Sequence, residues 1–191
     1  MTETTQSSAI RAILPNIGGL ESSEGWGSAE EYRVFDNEDS YPSLEQVLGL
    51  APEFETLRIQ DMLDDDDFVA LANAPVIQAV RFLDLRRHHR LPDDAFVRML
   101  DTGKLEHIQL LGLDACYQLG DMTAQAVAKN LPNLHGIDIG STSMGDAALE
   151  TFASMKTLKC IVGMFMTDAL TEEAVEALQE KRPDIEISLA W

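Results

Sequence analysis

Basic side chains are scarce in this 191-residue chain: 14 Lys and Arg stand against 33 Asp and Glu, a formal charge of −19. Phosphate contact needs a cationic face, so no nucleic-acid partner is expected. Long apolar runs are missing as well. Nothing approaches the run of about 18 residues that a membrane-spanning helix needs, and no membrane partner is expected. Cysteine is limited to Cys116 and Cys160, too few for a disulfide framework and in keeping with a reducing, cytoplasmic compartment. A signal peptide is not expected either: Glu3 stands where a basic start would be, and residues 9–20 are broken by Arg11, Pro15 and Asn16. Enzyme signatures are absent, whether G-x-S-x-G, a phosphate-binding loop, a G-x-G-x-x-G opening a helix, or H-E-x-x-H. Gly18-Gly19 marks only a turn. Neither catalysis nor a cofactor is therefore expected. Hydrophobic types, by contrast, make up 45% of the chain, enough to bury the core of one domain and to exclude a wholly disordered acidic chain.

That apolar content recurs at a fixed interval. Five triplets place apolar residues around one free position: Leu57-Arg58-Ile59, Leu83-Asp84-Leu85, Leu111-Gly112-Leu113, Ile137-Asp138-Ile139 and Ile161-Val162-Gly163. Their first residues are 26, 28, 26 and 24 apart, and Ile185-Glu186-Ile187 follows after a further 24. Three residues beyond each of the five lie Met62, His88, Cys116, Thr142 and Met166. Between triplets the apolar period changes from 2 to about 3.6, the mark of a strand followed by a helix. The helical stripes are Phe68, Leu71 and Ala72; Phe96, Met99 and Leu100; Ala124, Val127, Ala128 and Leu131; Leu149, Phe152 and Ala153; Val175 and Leu178. Asp, Glu, Thr or Pro opens each helix, which suits a helix N-terminus. Pro75, Pro132 and Pro183 end three of them.

The wording P-x-L-x-x-L-x-L-x-x-C followed by D-x-x-L-x-x-L-A resembles the leucine-rich-repeat family, and most of all its cysteine-containing subtype of about 26 residues per repeat. The unit of Ile108, Leu111, Leu113, Cys116, Leu119, Asp121, Ala124, Val127, Ala128, Leu131 and Pro132 carries it best, and the likeness extends over residues 43–191. Only that unit keeps Cys at the motif position, and Gly163 replaces an inward apolar residue. The resemblance implies an α/β fold, a right-handed solenoid or short horseshoe with parallel strands on its concave face and helices on its convex face. A single unit cannot bury its apolar side alone, so units must stack in series.

Three regions are expected. Residues 1–30 read as a loosely ordered acidic segment and residues 31–53 as an N-terminal cap. In the cap, residues 30–35 suggest a strand, and Ser43-Leu44-Glu45-Gln46 has capping-box spacing. Residues 54–191 form the repeat domain of five to six units, ending in an edge strand whose Glu186 discourages further pairing.

Few constellations carry chemistry. Residues 64–67, four Asp in a row, lack the alternating ligands and Gly of a calcium loop and read as the first turn of a helix. His88 and His89 lie among Arg81, Arg86, Arg87 and Arg90, whose charge repels a divalent ion, so no metal site is expected. That basic cluster reads as a solvated loop paired with acids, with an anion or acidic-peptide contact as the alternative. Cys116 falls where the family buries a small thiol, whereas Cys160 falls on the concave side and is the more reactive candidate.

Alternation within each strand turns the residues before, between and after the apolar pair outward. The candidate partner-binding residues are therefore Arg58, Asp84, Arg86, Leu110, Gly112, Asp114, Asp138, Cys160, Val162, Met164 and Phe165, with Glu186 ending the middle column. Leu110, Cys160, Val162, Met164 and Phe165 form an apolar strip edged by Asp114 and Asp138, and such a rimmed patch suits protein binding. Cover by a loop or by the N-terminal segment is the structural alternative. The family resemblance implies a non-catalytic module binding another protein on the concave face. The charge implies that this partner is basic. An inhibitor or toxin-immunity protein is the specific form these expectations take. An adaptor or substrate-recognition subunit of a larger complex and a secreted leucine-rich-repeat effector are the alternatives.

Overall fold

The computed structural model describes residues 31–34, 48–49, 55–59, 63–164, 167 and 169–190. The expectations for residues 1–30, for the helix beginning at Ser43, and for Met62, Phe165 and Met166 lie outside the described residues. So does the side chain of Arg58.

Among the described residues seven strands form one sheet in the order of the chain: β1 (Glu31–Val34), β2 (Thr56–Ile59), β3 (Phe82–Asp84), β4 (Leu110–Gly112), β5 (Gly136–Asp138), β6 (Cys160–Met164) and β7 (Glu186–Ala190). Every neighbouring pair is parallel. A parallel pair needs a return path on one side of the sheet. From β2 onward the chain makes it through α1 (Asp65–Asn73), α2 (Asp93–Asp101), α3 (Asp121–Asn130), α4 (Asp146–Phe152) and α5 (Glu172–Lys181). Each helix packs on the next. This is the leucine-rich-repeat solenoid, with strands lining one face and helices the other.

The core lies between them. Leu57, Leu83, Leu111, Ile137 and Ile161 face one another in register and are at most 1% exposed. Behind them lie Phe68 and Leu71 of α1, Phe96 and Met99 of α2, Ala124 and Val127 of α3, and Leu149 and Phe152 of α4, all buried. Full burial of one such side chain stabilises by about 1.5–3 kcal/mol, and the repeat multiplies that contribution.

One expectation needs correction. Ile187, not Ile185, pairs with Ile161, and Ser188, not Glu186, stands beside Val162. Ile185 is buried just before the strand. The spacing from Ile161 to its partner is therefore 26 residues, and the triplet pattern misled because Ile, Ile and Leu alternate through residues 185–189.

Two repeating devices bind the units beyond the strand ladder. The first follows each strand. Arg87, Ala115 and Ser141 adopt left-handed φ angles of 71°, 60° and 49°. This conformation costs roughly 1–2 kcal/mol for a residue with a Cβ. In return their N–H groups donate across to Asp114 O, Gly140 O and Met164 O at 2.9, 2.9 and 3.0 Å. One residue later His88, Cys116 and Thr142 turn inward. His88 Nδ1 and Cys116 Sγ both contact Leu85 O, at 2.7 and 3.1 Å, and Thr142 Oγ1 donates to Ile139 O at 2.7 Å. The position that one repeat fills with Cys is thus a column of small or ring side chains joined to backbone carbonyls. Burial pushes the Cys116 thiol up to about 12.

The second device joins helix starts. Asp93, the first residue of α2, accepts the Gly120 N–H at 2.8 Å and the Thr123 hydroxyl at 2.6 Å. Asp121 accepts the Gly145 N–H at 2.9 Å, and Asp146 accepts the Thr171 N–H at 2.8 Å. Each of these acids caps the next repeat's helix rather than its own. Gly120 and Gly145 supply no side-chain cap, so the carboxylate from the preceding unit satisfies an otherwise orphaned donor. In α1 the acid run caps itself: Asp64 accepts from Asp66 N and Asp67 N, and Asp67 accepts from Asp64 N, closing a capping box.

Candidate functional site

Strands of three to five residues present three columns on the side away from the helices. The first column runs Thr56, Phe82, Leu110, Gly136, Cys160 and Glu186. The middle column runs Asp84, Gly112, Asp138, Val162 and Ser188, and the backbone of Arg33 and Arg58 is in register with it. Arg86, Asp114, Gly140 and Met164 continue the strands as a third.

Charge is concentrated where the middle and third columns meet. Asp84 is fully buried and held by Arg86: Nε donates at 2.9 and 3.0 Å to the two carboxylate oxygens, Nη2 donates at 2.7 Å, and the Arg86 N–H adds a contact of 3.1 Å. Burial works against the Arg86 charge. The Asp84 hydrogen bonds and the carboxylates of Asp84, Asp138 and Asp114 more than restore it, and its pKa is raised. The Asp carboxylates lean over glycines of the neighbouring strand. A Cβ at residue 112 would lie 3.1 Å from Asp84 Oδ1, and one at residue 140 would lie 2.6 Å from Asp114 Oδ1 and 2.9 Å from Met164 N. Gly112 and Gly140 therefore act as the space the acids occupy, which is the positional use of a strand glycine.

Three carboxylates and one guanidinium leave this patch short of positive charge. Asp138 is partly exposed, with Oδ1 accepting the Gly140 N–H at 3.1 Å. Burial raises its pKa to about 7; the Asp114 and Asp84 charges push the same way, and the Gly140 hydrogen bond and Arg86 oppose them. Burial likewise raises Asp114, against the pull of Arg86 and Arg87. Beside these acids Val162 is half-buried and Met164 is 47% exposed. The arrangement offers cation contact with an apolar edge. Among the described residues no group of three or more His, Cys, Asp and Glu is placed to hold a metal ion.

The structure thus brings together Asp84, Arg86, Gly112, Asp114, Asp138, Val162 and Met164 of the expected residues. Leu110 and Cys160 stand apart from them in the first column, and neither has any solvent exposure. The expectation of an open strip with Cys160 as the reactive thiol is corrected accordingly. The backbone of Arg58 pairs in register with Asp84, two strands before Gly112. The basic cluster after β3 is mostly committed: Arg86 to Asp84, His88 to Leu85 O, and His89 Nδ1 to Ala115 O at 2.9 Å. His89 also stacks on Tyr117 with ring centroids 5.0 Å apart. Gly140 went unnoticed as a positioning residue. Its signal was a second glycine one column over from Gly112.

No family model matches the chain, and no curated protein matches it. Similar folds are present among solved structures. A chain of the crystal structure of the Rad7 and Elc1 complex in yeast matches with a TM-score of 0.62 and 20% identity over 80% of this chain. The match covers 40% of that chain, so the present sequence spans well under half of its length. The actin-binding site 2 of leiomodin-1 matches with a TM-score of 0.53 and 11% identity, over 68% of this chain and 80% of that one. At these identities the likeness is one of fold.

Proposed function

We propose that this chain is a non-catalytic protein-binding module that takes a basic partner on its strand-lined face, at Asp114, Asp138, Val162 and Met164. The observation that carries this reading is the pair of partly exposed carboxylates with raised pKa values beside the exposed Met164. Burial makes their charge unfavourable in the free protein, and a lysine or arginine from a partner relieves that cost while Met164 buries apolar surface. The net charge of −19 adds fast, salt-sensitive encounter with a cationic protein. In its specific form this is an inhibitor or immunity protein that blocks a basic enzyme in the cytoplasm; two buried cysteines that form no disulfide fit a reducing compartment. Cys116 in the inward column supports the cysteine-containing repeat subtype.

One observation favours a second reading, an adaptor within a larger assembly: the fold is shared with a chain of the Rad7 and Elc1 complex. Affinity purification of the tagged full chain from its native lysate, at low and moderate salt, separates the two. A single stoichiometric basic protein whose capture weakens with salt supports the inhibitor, and several complex subunits support the adaptor. Val162→Glu with Met164→Glu abolishes capture and leaves the circular dichroism spectrum intact. Unchanged capture by that variant refutes the site, and salt-independent capture refutes the charge argument.

A further inference from the structure

The helix-covered face is not equally tight along the solenoid. Each of α1–α4 buries three or more side chains, whereas α5 buries only Leu178. Ala174 of α5 is half-buried and Ala177 is exposed, so α5 meets α4 along alanines too short to fill the space between two helices. A groove of about 390 Å³ remains there. Leu149 and Ala153 line it from the α4 side, and Ala174, Ala177 and Leu178 line it from α5, with Glu150 and Lys181 at its rim. Asp146, which also lines it, is committed to Thr171. Charge singles out the same place. Exposed acids on the earlier helices have cations: Arg98 meets Asp94, and Lys129 Nζ meets Asp101 at 2.8 Å. Glu150 on α4 and Glu173 and Glu180 on α5 have none among the described residues. Glu173, Ala177 and Glu180 share one stripe of α5, at i, i+4 and i+7. The two glutamates therefore stand about 10 Å apart along the helix axis, with the exposed Ala177 between them.

We propose that the α4–α5 groove docks a basic amphipathic helix of another protein, a second interaction surface on the other side of the sheet from the acidic patch. The dimensions suit a helix. At seven and ten residues, α4 and α5 are about 10 and 15 Å long. They offer an incoming helix roughly two to three turns, which is room for apolar anchors at i, i+4 and i+7. Those anchors fill the space over Leu149, Ala153 and Leu178, because two neighbouring helices form the groove into which the side-chain ridge of a third can pack. Lysines or arginines seven residues apart on the incoming helix then match the spacing of Glu173 and Glu180, and another meets Glu150 across the groove. Lys181, the one cation among the described lining residues, lies at the C-terminal end of α5 and leaves the centre acidic. A second copy of this chain is the wrong occupant, since its own charge of −19 is repelled by this rim. The charge of the groove thus selects a cationic helix, and its alanines select one with an apolar stripe.

A synthetic helical peptide of about 15 residues, with leucines at i, i+4, i+7 and i+11 and lysines elsewhere, tests this by fluorescence anisotropy against the full chain. The comparison is a peptide of the same composition in an order that forms no apolar stripe. The patterned peptide binds about tenfold more tightly or better; equal affinity means attraction by net charge alone and overturns the proposal. Ala177→Lys, a change at an exposed helical position, weakens the patterned peptide by about tenfold, because it puts a like charge and added bulk in the groove. Glu176→Gln alters the charge of the chain by the same amount outside the groove lining and weakens it by less than about twofold. Equal losses in the two variants, or none in Ala177→Lys, overturn the proposal. A photo-crosslinker at the central leucine of the peptide locates it without any variant. Products on α4 and α5 support the groove, and products confined to the strands or to any other segment overturn it. Sedimentation of the chain alone tests the second copy as occupant: an oligomeric state untouched by Ala177→Lys is expected, and a dimer that this variant dissociates overturns the proposal. Failure here leaves the strand-lined site to its own test.

Discussion

Replacing Asp93 by Ala probes the device that joins one repeat to the next. Oδ1 of Asp93 takes the Gly120 N–H at 2.8 Å and the Thr123 hydroxyl at 2.6 Å, and the bonds are partly buried. Hydrogen bonds to a charged group contribute roughly 1.5–3 kcal/mol each. Because both end on one oxygen they are not additive, so the expected loss is about 2–4 kcal/mol. The variant leaves Gly120 N–H without an acceptor at a helix start that has no side-chain cap of its own. It also removes an anion from the positive end of α3, a smaller effect of about 0.3–1 kcal/mol. The neighbouring Asp94 is the internal control. It pairs only with Arg98 on the exposed face of α2, a contact contributing about 0.3–0.5 kcal/mol. Urea unfolding followed by circular dichroism gives both values from the midpoint and slope. A solenoid can also lose cooperativity, so a fall in slope for Asp93→Ala marks uncoupling of α2 from α3. If Asp93→Ala and Asp94→Ala fall within about 0.5 kcal/mol of each other with equal slopes, the acid does not join the repeats and the reasoning fails.

Other expectations are equally direct. Gly140→Ala places a Cβ 2.6 Å from Asp114 Oδ1 and 2.9 Å from Met164 N. Relief requires β6 backbone to shift, so the variant loses about 1–3 kcal/mol in urea unfolding; a neutral result refutes the close packing. Asp138 titrates in the folded state near pH 7, above an unfolded value of about 3.9. The folded chain therefore keeps a proton that the unfolded chain has lost. The stability from this group is full below about pH 4 and disappears as pH rises through about 7. Asp138→Asn abolishes that part of the slope between acidic and neutral pH, and an unchanged profile counts against it. Cationic partners should bind more tightly as pH rises through the same range, with release of a proton, and calorimetry in two buffers detects it. Cys116, at 0% exposure and a pKa near 12, stays unlabelled by thiol reagents at pH 8 in the folded protein. Rapid labelling there refutes its inward placement.

The architecture was legible in the chain itself because a repeat writes the same physical requirement many times. Leu83, Leu111 and Ile137 recur at strand spacing, and Phe96, Val127 and Leu149 recur at helical spacing between them. Stacking is the only arrangement that buries both sets. The acid at each helix start was visible too, yet its partner was not. Asp93 and Asp121 suit their own helix ends by composition, while the structure sends them to the next unit. The register of β7 was misread because Ile185 and Ile187 both satisfy the pattern, and only the ladder to β6 chooses between them.

The candidate site divides along the same line. Alternation alone placed Asp84, Asp114, Asp138, Val162 and Met164 on the face away from the helices, because a strand leaves each side chain only two directions. It gave no information about depth. Leu110 and Cys160 share that face and have 0% exposure, Met164 stands 47% exposed, and Asp84 is buried against Arg86. Burial and pKa depend largely on what lies across a strand and over a face, contacts such as Asp114 with Asp138 that join residues one repeat apart. The sequence by itself determined the repeat, its period and the side of the sheet each residue takes. Tertiary structure alone decided which of those residues meet water, which acids have raised pKa values, and which unit each capping carboxylate serves.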